Sequence, residues 1–353
     1  MVKMKDWILR KCKSSNYYLL FDKGSGLSVR SGFYGQEPFM NVEGPELLDI
    51  SITNFCERGC EFCYRKSSKE GLHMPLKLYQ KIISEAVQAG VLQVALGGGN
   101  PNQHPDFVEI LKLTRQLGMI PSYTTNGDGM TDEIWAATRE YCGAIAISYY
   151  EEKNVEEMVR KASEYGVKIN IHYMLNRKTI EKALAFLKNP PSYIRRVNAI
   201  VFLNYKPVHS SEKLCLKYSE QVEEFVECVK MFTECKIGFD SCMVSFLPLG
   251  EKYFPRQLID FCEAGRFSAF ISETGKMYPC SFMNDTSICG ADITHGSLRE
   301  IWKNDYEFQK VRDHLQEKPD GMVICRTCDV WNWCHGGCSI FPINKCGYGS
   351  GKA

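Results

Sequence analysis

The chain has 353 residues, 44% of them hydrophobic, and its 43 basic and 42 acidic side chains leave a net charge of +1. A chain of this length can bury a sizeable core in more than one domain, and the absence of a basic run or arm argues against a nucleic-acid partner. No window reaches the roughly 18 apolar residues of a membrane helix, and the start carries no export-signal pattern, so a soluble, cytoplasmic protein with no membrane partner is expected.

Residues 1–45 read as a hairpin extension, with Tyr17 to Phe21 and Leu27 to Arg30 flanking the turn residues Asp22-Lys23-Gly24-Ser25-Gly26. From residue 47, β-rich runs alternate with amphipathic stretches. Strands are predicted at 47–53, 92–96, 120–125, 144–149, 167–175 and 199–205, and helices near 76–89, 105–117, 132–141, 155–165, 179–187 and 220–235. In the first helix Leu78, Ile82, Ile83, Ala86 and Val87 recur at helical spacing, and Gly90 makes a natural stop. Strand, helix, strand in succession implies parallel pairing, as a partial barrel or an open doubly wound sheet. The unusual residues favour the barrel because they fall at strand ends: Cys56, Gly98 to Pro101, Asn126-Gly127 and Ser148. Active sites of parallel β/α folds form there. The expected fold is therefore α/β, a partial (β/α)6 barrel over 46–240. Beyond about residue 240 the alternation stops and Gly, Pro and Cys become dense, so 241–353 is expected to form a second domain, with a helix over 298–315 as scaffold.

Seventeen cysteines without an export signal fit metal binding better than disulfides. Cys12, Cys142, Cys215, Cys228 and Cys235 stand alone and read as buried thiols. Cys56-x3-Cys60-x2-Cys63 is different: it offers three thiolates where an iron-sulfur cube needs four, leaving one iron open to a small molecule. A zinc site would normally bring its own fourth ligand. Further along stands Gly98-Gly99-Asn100-Pro101, without the spacing of a dinucleotide fingerprint. Later cysteines read Cys262-x12-Gly275-x4-Cys280, then Cys325-x2-Cys328-x5-Cys334-x3-Cys338, then Cys346.

Taken together, these motifs resemble the radical S-adenosylmethionine (SAM) enzymes that carry a C-terminal iron-sulfur SPASM domain, over roughly residues 46–346. The resemblance implies that Cys56, Cys60 and Cys63 hold a SAM-binding [4Fe-4S] cluster, with Phe62 near the adenine. Reduction would yield a 5'-deoxyadenosyl radical that abstracts hydrogen from substrate. Gly98, Gly99, Asn100, Asn126 and Ser148 correspond to SAM-contacting positions. Asn100 stands where the family usually has Glu and would accept from the SAM ammonium without charge assistance. Cys325, Cys328, Cys334 and Cys346 would hold one auxiliary [4Fe-4S] cluster and Cys262, Cys280 and Cys338 the other. For that second cluster Arg256 and its neighbours offer no cysteine where fully ligated relatives have one, so either Cys242 is the fourth ligand or an iron stays open. Trp331, Trp333 and His335 would line a cluster.

The implied activity is oxidative maturation of a ribosomally made precursor peptide by a carbon-carbon, thioether or ether cross-link. A flavodoxin or ferredoxin would be the reductant, and a separate protein could bind the leader. Formylglycine formation, as in sulfatase maturases, is a second reading, weakened because Ser281 rather than Asp follows Cys280. A non-catalytic electron carrier is a third. His172, Tyr173 and Asn176 are candidates to line the barrel mouth, and Asp240, Tyr149 and Tyr173 are unranked candidates for a general base.

Overall fold

The computed structural model describes residues 7–24, 26–60, 63–208, 212–217, 219–244, 247, 254, 259–284, 286–317, 325, 327–338 and 340. Phe62 and Cys346 lie outside these residues. The chain divides into two compact units, each built from discontinuous segments: 1–146, 164–168 and 264–309 in the first, and 147–163, 169–263 and 310–353 in the second.

The N-terminal extension has one strand more than the sequence suggests. β1 (Trp7–Cys12) pairs antiparallel with β2 (Tyr17–Asp22), which pairs with β3 (Ser28–Gly32). β1 shows no apolar alternation because the exposed positions are Leu9 and Lys11 while the charged Arg10 takes a half-buried one. One face of β2 buries Tyr17, Leu19 and Phe21 against Leu92, Ile120 and Phe267. The Tyr17 hydroxyl donates to Glu46, and Arg30 pairs with the same carboxylate at 2.9 Å. The extension is thereby part of the first unit's core.

The first unit's main sheet begins with β4 (Leu47–Thr53), β5 (Gln93–Gly98) and β6 (Ile120–Thr125), parallel in the order β6-β5-β4. Leu48, Ile50 and Ile52 alternate along β4 and are fully buried, as a strand's period of two demands. Between the strands run α1 (Leu76–Ala89), α2 (Phe107–Gln116) and, after β6, α3 (Asp132–Tyr141). α1 stops at Gly90, whose φ of 86° favours a residue without Cβ. The Thr131 hydroxyl caps α3 by accepting from Ile134 N at 3.2 Å. Beyond residue 264 the chain returns to this sheet: β11 (Ser268–Ile271) pairs parallel with β4, and β12 (Lys276–Tyr278) and β13 (Ala291–Asp292) follow antiparallel. These short strands lack the length that makes periodicity legible.

β7 (Ile145–Ser148) and α4 (Glu152–Tyr165) continue the alternation along the chain. In the second unit β8 (Ile169–Leu175), β9 (Ala199–Asn204) and β10 (Lys236–Phe239) pair in parallel, with α5 (Ile180–Lys188) and α6 (Glu220–Met231) between them. Phe202 and Phe225 meet edge to face at 4.9 Å in the core. β10 is a strand that the sequence reading left unassigned, directly after the helix expected over 220–235. The helix expected over 298–315 is two, α7 (Leu298–Asn304) and α8 (Tyr306–Gln316), because the Asp305 carboxylate accepts from Glu307 N and starts a new helix.

Candidate functional site: a thiol loop and a clasped strand end

In the first unit, the segment after β4 forms a loop closed at its base by the backbone. Asn54 N donates to Leu72 O at 2.7 Å, Cys56 N to Ser68 O at 2.9 Å, and Met74 N to Ile52 O at 2.8 Å. Its far end turns at Gly59, φ 57°, and Cys63 N donates to Cys60 O at 3.1 Å. Two N–H groups already point at sulfur: Ser67 N reaches Cys63 Sγ at 3.5 Å and Asn126 Nδ2 reaches Cys56 Sγ at 3.6 Å. Sulfur ligands of a cluster take such donors, so the chemistry of the donor set fits a three-thiolate iron-sulfur site. Among the described residues no three His, Cys, Asp or Glu side chains are drawn together as for a single metal ion. The thiolates of a cube sit at its outer corners, further apart than the ligands of one ion.

The glycines at the end of β5 are packed tightly against the chain itself. A Cβ on Gly98 would lie 1.9 Å from Thr53 O, and one on Gly99 2.0 Å from Phe55 O. The space freed by the missing side chains is filled by the chain's own backbone, and Gly99 N and Asn100 N donate to those same carbonyls at 2.7 and 2.9 Å. Gly98 also has φ 114°. Gly98→Ala is expected to cost about 1–3 kcal/mol for the backbone conformation alone, with the clash added. A denaturant midpoint unchanged from the parent would refute this packing role.

Asn100 is 1% exposed and fully engaged. Its Oδ1 accepts from Thr125 Oγ1 at 3.0 Å and Asn126 N at 3.2 Å, while its Nδ2 donates to Asp128 O at 2.9 Å. Through these bonds the side chain holds the loop after β6. Asn102 repeats the grip through Thr125 Oγ1 at 2.6 Å and Asp128 O at 2.7 Å. A carboxylate at position 100 could not donate to Asp128 O, which gives the departure from Glu a structural reason. Asn126, 7% exposed, sits between this clasp and Cys56.

Next to the thiol loop, Arg65 is 1% exposed and its Nη2 bonds Glu273 Oε2 at 2.6 Å. Ser51 Oγ donates to the same carboxylate oxygen at 2.8 Å. Tyr64 packs on Phe282 with ring centroids 4.4 Å apart, and its hydroxyl bonds Ser281, the residue after Cys280. Sequence reasoning did not find Arg65, Glu273 or Asp49. Burial pushes the Asp49 carboxyl up to about 7, with the Arg65 guanidinium opposing the shift. Such an acid favours the folded state while both forms are protonated, below the ordinary value of 3.8, and loses that advantage as pH rises to about 7. Asp49→Asn is therefore expected to raise the melting temperature, relative to the parent, more at pH 8 than at pH 4.5. Thermal unfolding at the two pH values checks this, and equal shifts would contradict it.

In the second unit Ser148 ends β7. Tyr149 and Tyr173 stack at 4.9 Å. Burial raises both phenols, that of Tyr173 to about 12, so neither is a ready base at neutral pH. Burial lowers His172 to about 4 and keeps it neutral. Asn176 Oδ1 accepts from Lys178 N at 2.8 Å and Thr179 N at 3.1 Å, a turn at the start of α5. Asp240 has both oxygens engaged, Oδ2 by Lys206 Nζ at 2.7 Å and Oδ1 by Asn204 N at 3.1 Å. Of the three candidate bases, none is free for the role.

Among the C-terminal cysteines, Cys280 opens the 3-10 turn Ser281–Met283 in the first unit. Cys262, Cys325, Cys328, Cys334 and Cys338 belong to the second unit. The short helix Trp331–Cys334 starts where Trp331 N donates to Cys328 O at 3.2 Å, and Gly337 N donates back to Cys334 O at 2.9 Å. His335, at φ 49°, stacks on Phe261 at 3.7 Å and bonds Leu315 O through Nδ1 at 2.7 Å. Cys242 and Cys338 pack on one patch with Tyr205 and the buried Cys215. Cys215, read as a buried thiol, is 4% exposed.

A parallel α/β scaffold with a three-thiol loop after its first main strand fits the class of iron-sulfur proteins. Residues 50–151 match the model of the radical SAM superfamily, and residues 262–329 match that of the SPASM iron-sulfur cluster-binding domain. The chain thus carries a radical SAM domain and, C-terminal to it, a SPASM domain, as its motifs led one to expect. It is 22% identical over 317 residues to the mycofactocin maturase MftC of Mycobacterium tuberculosis, covering 84% of this chain and 79% of the relative. It is also 22% identical to the PqqA peptide cyclase of Ruegeria pomeroyi, covering 86% and 85%. In structure it resembles SuiB of Streptococcus suis bound to S-adenosylmethionine, with a TM-score of 0.73, 15% identity and coverage of 95% and 94%. SuiB solved with its precursor peptide SuiA gives 0.69, with 18% identity, 84% of this chain and 72% of that one. These likenesses establish the partial-barrel fold class. No helix among the described residues is long and apolar enough to cross a membrane.

Proposed function

We propose that the protein is a cytoplasmic peptide maturase that installs an oxidative cross-link in a ribosomally made precursor. The observation that carries this reading is the thiol loop, three cysteines held by a base of backbone bonds with N–H donors already aimed at two of the sulfurs. Cys56, Cys60 and Cys63 would hold the SAM-binding [4Fe-4S] cluster, which together with SAM supplies a 5'-deoxyadenosyl radical for hydrogen abstraction. Asn126 orients Cys56 and is itself oriented by Asn100 and the turn to Asp128, so the β6 loop sets the first ligand. Gly98, Gly99, Phe62 and Ser148 are assigned to the surroundings of SAM, the glycines through backbone groups whose path the Thr53 and Phe55 carbonyls fix. Two auxiliary [4Fe-4S] clusters would use Cys262, Cys280, Cys338 and Cys242, and Cys325, Cys328, Cys334 and Cys346. When bound, such clusters would supply an acceptor for the electron that remains after bond formation, and a flavodoxin or ferredoxin would deliver the first. A peptide substrate is supported by the names of the relatives, the maturase MftC and the PqqA peptide cyclase, and by SuiB solved with its precursor peptide. Leader binding would fall to a separate protein or to the N-terminal extension and barrel.

The test is anaerobic incubation of the reconstituted protein with SAM, dithionite and short peptides encoded beside its gene. Mass spectrometry should show loss of two hydrogens within one residue pair, accompanied by 5'-deoxyadenosine. Conversion of a Cys or Ser to an aldehyde would favour formylglycine chemistry instead, and no SAM cleavage after full reconstitution would leave only electron transfer.

A further inference from the structure

Where β9 ends, a buried charge pair and an amide hold the turn that carries Cys242. Lys206 and Asp240 pair at 2.7 Å with side chains only 4% and 20% exposed. Lys206 Nζ also donates to Asn204 O at 3.1 Å, and Asn204 N donates to Asp240 Oδ1 at 3.1 Å. Asn204 Nδ2 then donates to the carbonyl of Cys242 itself at 3.0 Å. Asp240 N is tied to Phe202 O at 3.0 Å and Met243 N to Asp240 O at 3.0 Å, so the backbone from 240 to 243 is held at both ends. Such a pair is a poor choice if stability were its purpose, since apolar replacements of buried ion pairs are often neutral or stabilising. What it does fix is geometry. The thiol at the end of this chain of bonds lies on the same Tyr205 and Cys215 patch as Cys338, a cysteine assigned above to the auxiliary cluster of Cys262 and Cys280.

We propose that Asn204, Lys206 and Asp240 are positioning residues that hold Cys242 as the fourth ligand of that auxiliary cluster. The inference rests on the cluster assignment above and extends it from the ligand to the device that sets it. A fourth ligand supplied from twenty residues before Cys262, rather than from its immediate neighbours, has no short loop to aim it, and the strand end takes over that task. Once the clasp is broken, the turn relaxes, one iron loses its thiolate, and mild oxidation releases that iron.

The experiment uses the full chain in a background where Cys56, Cys60 and Cys63 are alanine, so that only auxiliary clusters remain. Each variant is reconstituted anaerobically, assayed for iron and sulfide, and treated with ferricyanide before recording the [3Fe-4S]+ electron paramagnetic resonance signal that marks a cube with a labile corner. Cys242→Ala is expected to produce the signal where the background protein gives little. Lys206→Met and Asp240→Asn should produce it at several-fold the background intensity, and Lys206→Arg should bring it most of the way back. Asn204→Asp, which keeps size but removes the donor to Cys242 O, should act in the same direction and serves if a charge variant does not fold. If Cys242→Ala gives the signal while all three clasp variants match the background, the positioning role is wrong and the ligand stands. If Cys242→Ala itself matches the background, the cluster assignment fails first.

Discussion

Replacing Cys56, Cys60 and Cys63 together by alanine is expected to remove about four irons per chain and to lower SAM cleavage by ~10³-fold or more, while the auxiliary clusters stay loaded. The fold should survive, because the loop is closed by backbone pairs at Asn54, Cys56 and Met74 that do not involve the sulfurs. Iron analysis, circular dichroism and 5'-deoxyadenosine production separate these outcomes. Cleavage persisting in the triple variant would dismantle the proposed function, and a collapsed circular dichroism spectrum would show that the loop needs its metal to fold. Asn126→Ala should act in the same direction more weakly, since it removes one N–H from Cys56 Sγ and leaves the thiol.

The second large effect concerns Arg65. Its guanidinium is 1% exposed, bonds Glu273 at 2.6 Å and lies 5.3 Å over the Phe270 ring. Removing one partner of a buried pair leaves the other uncompensated, at a cost of about 3–5 kcal/mol. Arg65→Met is expected to lower stability by that amount in urea unfolding, whereas the double variant Arg65→Met with Glu273→Gln should recover a good part of it, because the stranded carboxylate is gone. A single variant as stable as the parent would mean that the pair is not buried in solution. Lys at position 65 keeps the charge but not the planar fork, and should fall between.

Much of the architecture is legible in the sequence because it depends on long, regular runs. The alternation of apolar residues along Leu47–Thr53 and the helical spacing in Leu76–Ala89 leave little choice of secondary structure. The thiol loop is equally legible, since three cysteines crowded into eight residues of a chain with no export signal point to metal. What escapes the sequence is set by tertiary partners. Trp7–Cys12 and Lys236–Phe239 are strands because a neighbouring strand pairs with them, not because of their own pattern. Asp49, Arg65 and Glu273 are ordinary charged residues until packing brings Arg65 alongside the two carboxylates. The glycines at 98 and 99 signal a close approach correctly, yet only coordinates show that the approaching atoms are Thr53 O and Phe55 O. In the same way Asn100 stands out in the sequence only as a departure from a motif, and its hold on the loop after β6 is visible only in three dimensions.

Tyr64 follows Cys63, and Phe282 follows Cys280 by two residues, and their rings meet at 4.4 Å. One aromatic contact thus joins both cysteine-bearing stretches, and it forms from chain segments more than two hundred residues apart. The thiol loop can close locally through its own backbone bonds, but Tyr64 gains this packing partner only once residue 282 has been synthesised.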